Sequence, residues 1–429
     1  MTIPEIHTLF LKSTGISTDT RKIKQGNIFF ALKGENFNGN LFVKQALDAG
    51  ATHAILDEPE YVMDSRTIPV KDVLTAMQDL ARYHRNYLGL PIIALTGSNG
   101  KTTTKELINA VLSQSFKTIA TQGNLNNHIG VPLTLLSMNE KTQMGIVEMG
   151  ANHLEEIKML SEIAQPNYGY ITNYGKAHLE GFGGVAGVIK GKSELYDYLR
   201  RTDGLIFLNG DDAIQREKAQ KTAIYSFGES QQDNVTVAYP GADPYAAVSV
   251  DGALITSNLI GQYNATNIAA AICIGLYFNV TIDAIKNAVE AYLPQNNRSQ
   301  IIKNGGQMII LDAYNANPTS MEAALKNLAQ LKGDNKVLFL GDMFELGKDA
   351  AAEHEKIAQI AHHLPFDTIV FLGNNFAQSK TVKKHLHFKD FNALKEEGLP
   401  QSIREQLPTA QVLIKGSRGM ALERILDLL

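Results

Sequence analysis

The stretch that most constrains this chain runs from residue 91 to residue 105, Pro-Ile-Ile-Ala-Leu-Thr-Gly-Ser-Asn-Gly-Lys-Thr-Thr-Thr-Lys. Its four apolar residues, 92–95, predict a short buried strand. Gly97 and Gly100, with small polar residues between them, predict a tight turn. Leu107, Ile108, Val111 and Leu112 then recur at helical spacing. A strand, glycine-rich turn and helix in that order cradle an anion, because the turn's N–H groups and the helix N-terminus face one point. Lys101 adds a point charge for terminal phosphates, and the Thr102 hydroxyl can hold Mg²⁺. The general phosphate-loop spacing wants its first glycine at position 95, where this chain has Leu95. The motif is therefore a shortened variant, Thr-Gly-x-x-Gly-Lys-Thr. It predicts binding of a nucleoside triphosphate; the bland alternative is an ordinary glycine turn.

A chain of 429 residues exceeds what one core organises, so about two to four domains are expected. With 44% hydrophobic and 20% charged residues it is globular rather than disordered. A net charge of −4 leaves no basic footprint for nucleic acid. The single cysteine, Cys273, excludes an internal disulfide and suits a reducing compartment. Residues 1–12 lack a basic region followed by a long apolar run, so no signal peptide is expected. The longest apolar run, 268–278, is too short for a bilayer and predicts a buried helix. A soluble cytoplasmic protein with no membrane partner is expected.

Residues 1–88 form a first unit. It has strand candidates at 28–32 and 54–56, a helix over 42–49 stopping at Gly50, and a helix over 73–87 ending at Gly89. Its polar stretch Ser17-Thr18-Asp19-Thr20-Arg21 could hold an anion or sugar, or be a turn with a solvated arginine. A second unit spans 89–293. Asn124, Asn126, Asn127 and His128 among glycines could hydrogen-bond a polar ligand or simply form turns. Glu148 ends a strand at 145–148, where α/β sheets hold Mg²⁺, or is a solvated strand-end carboxylate. His178 follows the strand end at 171–173 and is either a ligand or structural. Lys190 and Lys192 lie where a helix opens and would ordinarily be surface charges. Residues 230–260 predict a peripheral sheet, and residues 261–267 a cap for the apolar helix, with Asn267 near its start.

The third unit, 294–429, alternates strand candidates at 308–311, 337–340, 368–372 and 412–414 with helical patterns from Ser320, Ala351 and Met420. That alternation predicts a doubly wound sheet whose polar strand ends, 312–317, 341–342 and 415–418, collect on one ligand-binding rim. Arg298 stands at the start of this unit.

Taken together, these segments resemble the Mur ligases, ATP-dependent amide-forming enzymes of bacterial peptidoglycan synthesis. Residues 96–103 look like the family's phosphate loop, and Asn264-x-x-Asn267 before an Ala-rich helix like its adenine-side motif. Gly123-Asn-Leu-Asn-Asn-His-Ile-Gly-Val-Pro132, Asp312-Ala-Tyr-Asn-Ala-Asn-Pro318 and Gly341-Asp-Met-Phe-Glu-Leu-Gly347 are similar to the branch that adds D-alanyl-D-alanine. The sister branch usually carries an Asp-Tyr-Ala-His-type stretch and an Asp-Asn-Pro-Arg motif, which this sequence lacks. The resemblance implies an α/β fold of three domains, with a central P-loop parallel-sheet ATPase domain and a C-terminal Rossmann-like domain.

It implies roles position by position. Gly97, Ser98, Asn99, Gly100, Lys101, Thr102 and Thr103 would hold ATP phosphates, with Thr102 on Mg²⁺. Glu148 and His178 would hold a second Mg²⁺, together with Lys192 as a carbamate. Asn267 would contact adenine, and Arg298 and Asp312 would reach ATP. Ser17, Thr18, Asp19 and Arg21 would face the uridine nucleotide of UDP-N-acetylmuramoyl-tripeptide, and Asn124, Asn126 and Asn127 its muramoyl side. Tyr314, Asn315 and Asn317 would line the D-alanyl-D-alanine pocket. Lys101, Glu148, His178 and Lys192 are the implied catalytic set, in a monomer. Two departures from the family pattern stand out. Tyr263 occupies a position often held by His, and Asn296-Asn297 one often held by Pro-Gly. The expected chemistry passes through an acyl phosphate, with the third unit closing by a hinge near residue 294. Rival readings are another ligase on the same scaffold (one adding glutamate to folate, or the third residue to the muramoyl peptide), a nucleotide-gated scaffold protein, and a P-loop kinase.

Overall fold

The computed structural model describes residues 1–294 and 297–429. Asn296, one of the expected departures, lies outside the described residues. Three separate sheets organise the chain. In the first unit, strands Ile16–Ser17, Ile28–Phe30, His53–Leu56 and Thr67–Pro69 pair in that order, all parallel. The helix Val73–Leu88 leads out of this unit. Asp72 caps its start, accepting from the Thr75 amide at 2.7 Å, and Gly89 ends it in the left-handed conformation at φ 60°. Pro91 follows, one residue before the cradle strand Ile92–Thr96.

The central sheet has nine strands. Its parallel part runs Thr118–Ala120, Met144–Glu148, Ile92–Thr96, Tyr168–Ile171, Leu205–Asn209, Ala223–Gly228 and Val235–Ala238. Tyr245–Val250 and Ala253–Ile260 then extend it antiparallel. The segment expected to form a peripheral sheet therefore continues the central one, because Val235–Ala238 pairs with the open edge at Ala223–Gly228. The apolar helix begins earlier than its composition suggested, spanning Tyr263–Tyr277. Residues 268–274 are at most 1% exposed, and this helix packs on the cradle helix Lys101–Leu112. Asn264 and Asn267 thus lie inside its first turns rather than capping it. Likewise Lys190 and Lys192 sit in the middle of a helix, Val185–Arg201, not at its opening.

The third sheet runs Gln300–Asn304, Gln307–Asp312, Gln411–Lys415, Lys336–Gly341, Thr368–Leu372 and Leu386–Phe388. Only its first pair is antiparallel. Helices Pro318–Gln330 and Ala350–His363 match the expected patterns; the segment after Met420 forms 3₁₀ turns instead of an α-helix. No described helix is long and apolar enough to cross a membrane.

Candidate active site

The cradle strand Ile92–Thr96 is fully buried and delivers the loop to the centre of the sheet. Gly97 has φ 142° and Gly100 φ 78°, and neither tolerates a side chain. A Cβ on Gly97 would strike the Thr172 hydroxyl, and one on Gly100 would lie 2.7 Å from Asn267 Oδ1. The loop is braced from the neighbouring strand end. Thr172 Oγ1 and Asn173 Nδ2 both donate to the Asn99 carbonyl, at 2.5 and 3.0 Å. The Asn99 amide donates to Asn173 Oδ1 at 3.1 Å. Gly100 caps the helix without a side-chain acceptor, so the first-turn amides, including those of Thr102 and Thr103, are left to an external anion. Lys101 folds back over the loop, its ammonium donating to the Gly97 carbonyl at 2.8 Å. Enclosure in the cleft pushes that ammonium below the usual lysine range, against the pull of Glu148.

Glu148 ends the strand beside the cradle strand, in register with Leu95. Its carboxylate is 1% exposed and accepts from Thr102 Oγ1 at 3.0 Å and from Asn126 Nδ2 at 2.9 Å. Lys105, 2% exposed, pairs with it at 3.6 Å. Sequence reasoning did not assign Lys105; a lysine on the cradle helix gives no hint of burial. Asn126 therefore orients Glu148. Asn127 is exposed and closes its own turn, accepting from the amides of Ile129 and Gly130 at 3.1 and 2.9 Å.

His178 has φ 53° and its ring bonds to the Glu345 carboxylate of the third unit. Glu345 itself has φ 60°, so two non-glycine residues in left-handed backbone meet across the cleft. Lys192 is fully buried behind Ala151, donating to its carbonyl at 3.1 Å, with the Phe182 ring 5.0 Å away. Burial, reinforced by the charge of Lys101, drives its ammonium well below the usual lysine range. Thr102 and Glu148 are thus brought into contact, His178 lines the same cleft, and Lys192 lies one residue layer behind it. Among the described residues no cluster of three or more His, Cys, Asp or Glu side chains forms a ready-made cation cage.

The third unit closes the other wall. Arg298 stacks on Tyr314 with its guanidinium 3.6 Å from the ring centre, and its buried Nε has no partner among the described residues. Asp312 accepts from the Ser299 amide at 3.2 Å and pairs with Lys415. Asn317 caps the helix Pro318–Gln330 and donates to Asn99 Oδ1 in the phosphate loop at 2.7 Å. Asn267 is a bracket rather than a free contact. Its amide donates to Asn264 at 2.9 Å and its oxygen accepts from Thr104 at 3.1 Å. Tyr263 bonds Ser299 at 2.8 Å, tying the two units where a His was expected.

One cleft of about 750 Å³ collects Ser98 through Thr103, Asn124, Asn126, Asn127, Glu148, His178, Asn267, Arg298, Asp312, Tyr314, Asn315 and Asn317. Ser17, Thr18, Asp19 and Arg21 are not among its lining residues. They form a closed turn in the first unit. Arg21 holds the Asp19 carboxyl down to about 2, with Arg21 Nη2 at 2.8 Å. The cleft fits a nucleoside triphosphate: a glycine cradle that a Cβ would block, a lysine over it, and the unpaired buried Nε of Arg298 and Nδ2 of Asn99 beside it.

A P-loop core facing a doubly wound unit across such a cleft defines a nucleotide-dependent α/β protein. The chain belongs to the Mur ligase family. Residues 12–85 match the Mur ligase family catalytic domain, 95–275 the Mur ligase middle domain, and 297–418 the Mur ligase glutamate ligase domain. It is similar to the UDP-N-acetylmuramoyl-tripeptide–D-alanyl-D-alanine ligase of Bacillus subtilis (strain 168), at 34% identity over 96% of this chain and 92% of that one. The enzyme of the same name from Escherichia coli (strain K12) is also 34% identical, with the same coverage. Among solved structures it resembles MurF from Acinetobacter baumannii, with TM-score 0.88, 32% identity, and 98% and 97% of the two chains covered. A Mycobacterium tuberculosis folylpolyglutamate synthase shares the fold at 14% identity and TM-score 0.64, over 82% of this chain and 94% of that one.

Proposed function

We propose that this chain is an ATP-dependent ligase joining D-alanyl-D-alanine to UDP-N-acetylmuramoyl-tripeptide, giving the pentapeptide, ADP and phosphate through an acyl phosphate. The observation that carries the reading is the convergence of Lys101, Thr102 and Glu148 with Arg298, Asp312 and Glu345 on one cleft between two units. A carboxylate and an amine do not condense at neutral pH unless the carboxylate is activated. Transfer of the γ-phosphoryl group to the tripeptide's terminal carboxylate achieves this, and the dipeptide amine then displaces phosphate.

Two anions must meet for that step. The residues 97–103 hold the phosphates by backbone amides, and Lys101 offsets the charge that concentrates there. Thr102 would hold one Mg²⁺, and Glu148 and His178, with Lys192 as a carbamate, a second; bound Mg²⁺ would supply the positive charge that lets the anions approach. Arg298 and Asp312 reach ATP from the third unit, and Asn267 fixes the cradle helix on the adenine side. Residues 1–88 serve the uridine nucleotide, with Ser17, Thr18, Asp19 and Arg21 as its contacts. Residues 89–293 serve ATP, and residues 294–429 close on it. Asn124, Asn126 and Asn127 border the muramoyl side. Tyr314, Asn315 and Asn317 form the wall against which the dipeptide lies. The enzyme acts as a cytoplasmic monomer in the last soluble step of peptidoglycan precursor assembly.

The test is ADP formation from ATP with UDP-N-acetylmuramoyl-tripeptide, with and without D-alanyl-D-alanine. Turnover is expected only with both. Turnover with glutamate and a folate, or with a diamino acid and the muramoyl dipeptide, would assign the chain to a different ligase.

A further inference from the structure

The loop residues 341–347 and 415–419 enter the cleft side by side, yet the reading above gives neither a role in holding substrate. The Phe344 amide donates to Ser417 Oγ at 2.9 Å, and the Ser417 amide donates to the Asp342 carbonyl at 3.0 Å. Gly419 packs against the Phe344 ring so closely that a Cβ would lie 2.8 Å from its edge. The two loops are therefore one rigid piece, and each offers one charge on the residue after the shared bond: Glu345 and Arg418. Both line the cleft. Of the other charges on this side of the cleft, Asp312 pairs with Lys415, Asp342 accepts from the Asn375 and Phe376 amides, and Arg298 is stacked on Tyr314. The Glu345 side chain is 51% and the Arg418 side chain 58% exposed. Glu345 uses one oxygen on His178, and Arg418 uses Nη1 on Glu423 at 2.8 Å. Among the described residues, one carboxylate oxygen and the remaining guanidinium donors have no partner and are left for a ligand.

We infer that Glu345 and Arg418 form a clamp for the zwitterionic acceptor, Glu345 taking its ammonium and Arg418 its terminal carboxylate. This rests on the ligase reading. A dipeptide spans at most about 7 Å end to end, so its two charges need a cation and an anion on neighbouring residues of a rigid support. The joined loops supply that pair. Glu345 touches His178, which lies on the central unit's side of the cleft, so an ammonium held there faces the acyl group being activated. The expected dipeptide contacts are engaged elsewhere. Tyr314 carries Arg298, and both polar atoms of the Asn317 side chain are taken by Ser320 and Asn99.

The test uses the full-length enzyme and compares D-alanyl-D-alanine with D-alanyl-D-alaninamide as acceptors, and with D-lactyl-D-alanine as a competitor. The wild type should prefer the free carboxylate, and bind the ammonium form over the hydroxyl analogue, by roughly 10- to 100-fold. Arg418→Gln should erase the first preference by weakening only the acid, and Arg418→Lys should restore part of it. Glu345→Gln should erase the second preference while leaving the first. If the wild type turns over but each variant loses all acceptors equally, or keeps both preferences, the clamp is wrong and the ligase reading stands. If the wild type does not use D-alanyl-D-alanine, the ligase reading itself fails and the clamp with it.

Discussion

The Thr102 hydroxyl donates to the Glu148 carboxylate at 3.0 Å, joining the first turn of the cradle helix to the end of the adjacent strand. The same carboxylate oxygen has the Lys105 ammonium at 3.6 Å, almost fully buried. Glu148 is thus a buried anion held by one hydroxyl, one amide and one ammonium. Glu148→Gln should lower kcat/KM by roughly 10²- to 10³-fold, with a raised Mg²⁺ requirement in a metal titration. Lys105→Met should destabilise the fold by about 3 kcal/mol, because it strands a buried charge. Chemical denaturation would measure this, and a variant as stable as the wild type would show that the pair does not matter.

Lys192 is expected to work as a carbamate. Burial disfavours its charged form and so favours the amine, the form that adds CO₂, whereas a free ammonium would repel Mg²⁺. Lys192→Ala should lose about 10- to 100-fold in activity, and bicarbonate should rescue enzyme prepared in CO₂-depleted buffer. Full activity in Lys192→Ala, with no response to bicarbonate, would remove the carbamate from the mechanism.

The third unit docks on the second through several polar contacts, among them His178 with Glu345, Tyr263 with Ser299 and Lys332 with Asp243. Asn317 reaches Asn99, the Lys176 amide donates to Thr319 Oγ1 at 3.0 Å, and the Lys176 ammonium pairs with Glu353. Lys176→Met should favour the open arrangement only mildly, since a partly exposed ion pair contributes about 0–1 kcal/mol. The apparent affinity for ATP should then fall by no more than about fivefold. Small-angle scattering should show a more extended free enzyme that contracts with an ATP analogue and both substrates. An identical profile in both states would argue against a hinge near residue 294.

His7 and His84 form a buried chain. His7 Nε2 lies 3.0 Å from His84 Nδ1, and His84 Nε2 lies 2.9 Å from the Met138 carbonyl, an arrangement that two neutral rings satisfy with His7 donating to His84 and His84 donating to the carbonyl. Burial lowers both below their ordinary 6.5, with His84 further lowering His7. Above that pH the rings are neutral folded and unfolded, and stability is complete. Below it the unfolded chain takes up protons first, so stability is lost as pH falls through the folded values. The melting temperature should drop more between pH 7 and 5 for the wild type than for His84→Gln, whose amide can keep the Met138 bond. Parallel curves would show that the pair is not pH-sensitive.

Much of this molecule is determined locally. The apolar run before Gly97 can only be a buried strand, the two glycines can only be a turn, and Asp72 and Gly89 mark the ends of a helix by their own chemistry. Local chemistry also placed Lys101 and Thr102 at a helix start whose amides are open to an anion, since a helix start exposes its amides wherever it lies. Pairing across the chain was not readable in this way. Strand Val235–Ala238 joins the central sheet because a distant edge at Ala223–Gly228 was open, and Lys105 and Lys192 became buried because of what packs over them. Tyr314 was taken by Arg298, and Asn317 by Asn99, through approaches between units that no short stretch encodes. Tertiary structure alone decided that Glu345 meets His178, because their separation along the chain is closed only when the units built on two different sheets dock face to face.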